Sequence, residues 1–206
     1  MQDSIVNKNN EVNSITTKVV VIGASTGGPQ ALLKIFEDLP SVISVPIVVA
    51  QHMISEFLPQ FVNSLSNDDI NLKFELGEQN KALEAGRIYI APGGSNMTVK
   101  IDNNGTKRLE ISPSTAVLRP SIDMLMTSVA NTYGANSLGI ILSGMGKDGL
   151  EGMRAIKTAG GETITQDKDS SVVYGMAQAV NDQNLADFIL PLPSIAGAIF
   201  RWSNTK

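Results

Sequence analysis

The sequence has 206 residues, a length that fits one domain or one domain with a small appendage. Sixteen Lys and Arg against twenty Asp and Glu give a formal charge of −4, so general phosphate neutralisation and nucleic-acid binding are not expected. With no cysteine and one histidine, the composition excludes disulfides, thiol nucleophiles, Cys-based clusters and multi-histidine metal centres. No Asp-rich loop has the spacing of an all-oxygen cation site, so neither metal nor cofactor is expected. Hydrophobic residues make up 42% and aromatics only 5%, which predicts a sizeable, mostly aliphatic core.

Residues 1–17 are rich in Asn, Ser and Thr and lack the apolar centre of a secretory signal. They read as a flexible tail or linker remnant ahead of one domain over 18–206. The first β-branched run, 19–22, predicts a strand, followed by a helix over 29–39. Residues 46–49 predict a second strand before a helix over 56–65, and 87–90 predict a third strand. Segments 97–101 and 108–112 flank Asp102-Asn103-Asn104-Gly105 and read as a β-hairpin. Helices over 121–132, 149–159 and 175–181 then precede strands over 138–142, 162–165 and 188–190, and a last helix spans 193–202. This alternation predicts an α/β fold, a parallel sheet with helices on both faces. The uncharged stretch 124–146 is broken by Thr127, Ser128, Asn131, Thr132, Asn136, Ser137 and glycines, which is wrong for a membrane span. A cytoplasmic protein, not embedded in a membrane, is expected.

Ligands of open α/β sheets gather beyond the carboxyl ends of the strands. Ser25, His52 and Asp148 each follow an apolar run, so a serine, a histidine and an aspartate are expected at one sheet edge. That is the set of a serine hydrolase, defined by geometry and not by chain order. Each residue also has a plainer reading. Ser25 lies in a glycine-rich turn of the kind that binds phosphate or closes a tight corner. Pro29 suits a first helical position, which makes Gly28 the expected cap and leaves the Ser25 hydroxyl outside the helix, near its positive end. His52, the only imidazole, is either a packed histidine or the general base. Asp148 and Glu151 have the spacing of a capping box, and Asp167 and Asp169 are competing acids.

These residues also carry a family resemblance. Val20-Val21-Ile22-Gly23-Ala24-Ser25-Thr26-Gly27-Gly28-Pro29 resembles the nucleophile turn of the chemotaxis-receptor protein-glutamate methylesterases, the CheB type. Gln51-His52-Met53 is similar to their histidine motif, and Leu142-Ser143-Gly144-Met145-Gly146-Lys147-Asp148-Gly149 to their acid loop. Tyr89-Ile90-Ala91-Pro92-Gly93, Arg119-Pro120-Ser121-Ile122-Asp123 and Ser171-Val172-Val173-Tyr174-Gly175-Met176 match further blocks in order. The resemblance implies a three-layer α/β/α sandwich with a mostly parallel sheet and a β-hairpin. It also implies Ser25 as nucleophile, His52 as base and then acid, and Asp148 as the orienting carboxylate. Met145 would give its backbone N–H to the oxyanion, with Thr26 lining the same site. The implied reaction is hydrolysis of glutamate γ-methyl esters on methyl-accepting chemotaxis receptors, releasing methanol, with deamidation of receptor glutamines as a companion activity.

The sequence departs from the family where His52-Met53 continues with Ile54, and Tyr174-Gly175-Met176 with Ala177, in place of Pro. At this length there is no room for the receiver domain many members carry, so control by phosphorylation within the chain is not expected unless the chain is a fragment. Two other functions compete. A phosphate-binding module would use the glycine turn, but Gly23, Gly27 and Gly28 stand at the wrong offsets and no P-loop lysine follows. A family member reduced to an interaction domain would not need Ser25, His52 and Asp148 together.

Overall fold

Strand β1, Val19–Ala24, is buried at every position. An apolar run of that kind is what a parallel strand covered on both faces requires. The computed structural model describes residues 17–65, 70, 72–116 and 118–205. The expected tail, apart from Thr17, lies outside the described residues. After β1 come α1 (Gly28–Asp38), β2 (Ile47–Gln51), α2 (Leu58–Leu65), β3 (Lys73–Leu76) and β4 (Arg87–Ile90). A hairpin of β5 (Ser95–Ile101) and β6 (Lys107–Pro113) follows, then α3 (Ile122–Tyr133) and β7 (Ser137–Ile141). The chain ends with α4 (Leu150–Thr158), β8 (Glu162–Gln166), α5 (Gly175–Asn181), β9 (Phe188–Leu190) and α6 (Leu192–Asn204).

Seven parallel strands form one sheet in the order β3-β4-β2-β1-β7-β8-β9, and the antiparallel hairpin stands apart from it. Alternating side chains of β1 enter two cores. Val20, Ile22 and Ala24 face α1, α2 and α6, while Val19 and Val21 face α3, α4 and α5. Met97, Val99 and Leu109 of the hairpin join α3 in the second core. The result is the three-layer α/β/α arrangement. Among the described residues, no helix is long and apolar enough to cross a membrane.

The topology itself locates a site. From β1 the chain passes to β2, on to the edge strand β3 and back to β4 between them, then crosses to β7 on the other side of β1 and winds outward the opposite way. The strand order thus reverses between β1 and β7, the kind of switch point at whose carboxyl ends ligands of open α/β sheets bind. Three local expectations need correction. Strand β3 was not expected, because Lys73-Phe74-Glu75-Leu76 is half charged and has no β-branched residue. It forms at the sheet edge, where Glu75 pairs with Lys81 and Arg87. The helix expected over 56–65 opens with a 3-10 turn, Ser55–Phe57, before α2. The cap of α1 is Gly27 and not Gly28, because the chain enters the helix through a left-handed residue with φ +82°.

Candidate active site

Backbone pairing continues past the strand ends and places the site. Residue Ala24 is in register with Gln51, and Gly23 with Ile141. Beyond them the His52 N–H donates to Ala24 O at 2.9 Å, and the Ser25 N–H donates to Ser143 O at 3.0 Å. The loop after β1 is thus bonded to the loop after β7, and the loop after β2 to the end of β1, before any side chain is considered.

His52 connects the other two side chains. Its Nδ1 lies 3.2 Å from Ser25 Oγ, and its Nε2 lies 2.7 Å from Asp148 Oδ2. The imidazole is 7% exposed and the Asp148 side chain 15%, so both face little water. An ionised carboxylate only accepts, so Nε2 carries the proton and Nδ1 presents its lone pair to the serine hydroxyl. The two nitrogens exchange the roles they have in the chymotrypsin-type template.

Asp148 does not cap α4, which settles the rival capping-box reading. The N-cap of that helix is Gly149, and no side chain of the cap residue bonds there. The carboxylate turns instead to the start of α3, where Oδ2 accepts from Ile122 N–H and Oδ1 from Asp123 N–H, both at 2.9 Å. Burial works against its charge, but the bonds from His52, Ile122 and Asp123 hold its carboxyl below the usual carboxylate range. Glu151, the other half of the expected box, pairs on the surface with Arg154 at 3.2 Å. Neither competing acid is placed at His52. Asp167 closes its own turn, accepting from the Ser170 N–H at 3.0 Å and Oγ–H at 2.6 Å, and Asp169 is exposed.

The glycine turn is shaped by its neighbours. A Cβ on Gly27 would lie 2.7 Å from Val172 Cβ, and one on Gly28 would lie 2.0 Å from Gln51 Oε1. Gln51 is buried, and its Nε2 donates to Ser25 O at 3.0 Å and to His52 O at 2.9 Å. One amide therefore ties the serine loop to the histidine loop. In the sequence Gln51 stands beside His52, and the one sign of this role is a polar residue ending the apolar run Ile-Val-Val-Ala. Gly28→Ala is expected to push that amide aside and destabilise the fold by about 1–3 kcal/mol, the usual cost of overpacking, measured by urea unfolding. Gly28 N–H is engaged by Ser25 O at 2.8 Å, which removes one backbone donor from the phosphate reading of the turn.

Thr26 is exposed and adjoins Ser25, while Met145 is 69% exposed. Among the described residues, the backbone N–H groups of Thr26 and Met145 have no protein acceptor. Gly144, the residue before Met145, packs so closely on Ser25 that a Cβ there would lie 2.8 Å from Ser25 Cβ. That loop is strapped to α5 and the segment before it, with Gly144 N–H donating to Val173 O at 2.8 Å and Met176 N–H to Gly144 O at 2.9 Å. The site thus combines a hydroxyl, an imidazole of fixed tautomer and two unengaged N–H groups, the parts needed for nucleophilic acyl transfer.

The chain is also similar to known proteins over most of its length. A family model described as CheB methylesterase matches residues 20–199. A protein-glutamate methylesterase/protein-glutamine glutaminase of Desulfitobacterium hafniense is 41% identical over 186 residues, covering 87% of this chain and 46% of that protein. The protein-glutamate methylesterase FrzG of Myxococcus xanthus is 37% identical over 184 residues, covering 89% of this chain and 54% of FrzG. The chain thus spans about half the length of the curated relatives it matches. The crystal structure of the Thermotoga maritima CheB methylesterase catalytic domain superposes with a TM-score of 0.83 at 34% identity, covering 89% of this chain and 97% of that one. By sequence and by fold, the chain belongs to the CheB methylesterase family.

Proposed function

We propose that residues 18–206 form a catalytic domain that hydrolyses glutamate γ-methyl esters on the cytoplasmic part of methyl-accepting chemotaxis receptors. The observation that carries this reading is the continuous contact from Ser25 Oγ through His52 to Asp148. In this mechanism Ser25 Oγ attacks the ester carbonyl while His52 Nδ1 takes its proton. The tetrahedral oxyanion is met by the N–H groups of Met145 and Thr26, each donor contributing about 10²–10³ in rate. Collapse expels methoxide, which leaves as methanol with the proton from Nδ1, and a glutamyl ester of Ser25 remains. Water, deprotonated by the same nitrogen, then releases the free glutamate and restores the serine. Asp148 keeps Nε2 protonated throughout and offsets the imidazolium charge.

The names of the relatives pair methylesterase with glutaminase activity. The same steps act on a glutamine side chain when ammonia replaces methanol as leaving group. The cytoplasm, where such receptors present their methylated segments, is the proposed location. The test is methanol release from a receptor cytoplasmic fragment carrying glutamate methyl esters. A serine-directed covalent probe should label Ser25 and stop that release. An unlabelled chain that releases no methanol would leave an interaction domain as the better reading.

A further inference from the structure

Two carboxylates are exchanged between the starts of α3 and α4. Asp148 precedes α4 but accepts from the N–H groups of Ile122 and Asp123 in α3. Asp123 sits in the first turn of α3, yet its Oδ1 accepts from Gly149 N–H at 2.9 Å and Gly152 N–H at 2.8 Å. Helix α4 has no cap of its own, since its N-cap Gly149 has φ +99° and no side chain. Asp123 therefore supplies the cap from a neighbouring helix, and binds the residue directly after Asp148.

We propose that Asp123 is a positioning residue, which by gripping the Gly149 and Gly152 backbone holds the Asp148 carboxylate on His52 Nε2. This rests on the esterase reading above. The segment around Asp148 needs such a grip. Gly146 and Gly149 on either side both have left-handed backbones, and Met145, Gly146 and Lys147 are exposed. Left-handed glycines surrender more conformational freedom than other residues, so an ungripped loop would sample other paths. Helix capping by α4 itself cannot do this work, because the cap position holds no acceptor side chain. Two half-buried carboxylates side by side also repel. Burial and the Asp148 charge push the Asp123 carboxyl up, while the N–H groups of Gly152 and Gly149 draw it back. The pair is sustained by four backbone N–H groups at two helix starts, where partial positive charge is concentrated.

Three variants test the grip. Asp123→Asn keeps an oxygen acceptor, Asp123→Ser reaches at most one of the two N–H groups, and Asp123→Ala removes both bonds. The expected order of kcat is Asn above Ser above Ala, with Ala lower than the parent by about 10–100-fold, as for other supporting hydrogen bonds of functional groups. KM should stay nearly constant. A second readout does not depend on turnover. His52 is the only histidine, so ¹⁵N-labelled imidazole gives the signals of a single ring. A slowly exchanging Nε2–H proton is expected in the parent and in Asp123→Asn, and its loss in Asp123→Ala. Unchanged kcat together with a retained Nε2–H signal in Asp123→Ala would overturn the proposal. Should that variant not fold, equal kcat and equal Nε2–H exchange in Asn and Ser would overturn it. A parent chain with no Ser25-dependent hydrolysis would instead defeat the esterase reading, and the imidazole signal would still decide the role of Asp123.

Discussion

Ser25→Ala should lose methyl ester hydrolysis by a factor on the order of 10⁶ while keeping the fold, in line with removing the nucleophile of other serine hydrolases. The structure explains why the two effects separate. Among the described residues the hydroxyl makes one hydrogen bond, at 3.2 Å to His52 Nδ1, and the backbone bonds to Ser143 O and Gly28 N–H do not involve the side chain. Alanine also keeps the Cβ that packs against Gly144. Stability should therefore stay within about 0.5 kcal/mol of the parent, as for substitutions that open no cavity and strand no buried group. The assay is methanol release alongside a urea unfolding curve. Near-parental turnover by Ser25→Ala would remove Ser25 from the mechanism, whatever the family membership.

The legible parts of this molecule are those where one residue type reports its own environment. β1, β2 and β7 are apolar because both faces are covered, so their runs are visible without knowledge of their neighbours. Ser25 and His52 stand out as polar residues immediately beyond such runs, and the sheet brings them together. Asp148 was ambiguous for a physical reason. Its spacing to Glu151 is that of a cap, and only the packing of α3 against α4 turns its carboxylate toward Ile122, Asp123 and His52. Gln51 and Asp123 stood inside motifs, but their partners are backbone groups, which carry no signature in side-chain identity. β3 is not legible in the sequence because its Glu75 is paired with Lys81 and Arg87, residues the spacing does not connect to it.

Asp148→Asn should lower kcat by about 10³–10⁴, the scale on which a misdirected imidazole costs a serine hydrolase. The carboxylate takes three donors, His52 Nε2–H and Ile122 N–H on Oδ2 and Asp123 N–H on Oδ1. An amide has one oxygen, so one side must now present N–H to a donor. If its nitrogen faces His52, the ring must carry its proton on Nδ1 and can no longer accept from Ser25. If its nitrogen faces Asp123, the tautomer survives, but the imidazolium formed during attack has lost its counter-charge. Both orientations fail at the same step, so KM should change little. One donor is also stranded in a poorly hydrated site, which should cost about 1–3 kcal/mol of stability. The acid dependence gives an independent check. With its folded pKa below the unfolded value of about 3.9, ionised Asp148 adds stability that is fully present above the unfolded value and is lost as pH falls through the folded one. The stability gap between parent and variant should therefore be widest near neutrality and narrow as urea unfolding is repeated at progressively lower pH. A gap that is flat with pH would mean the carboxylate charge is not held by His52 and the α3 backbone. Undiminished kcat in the same variant would mean that Asp148 does not orient His52.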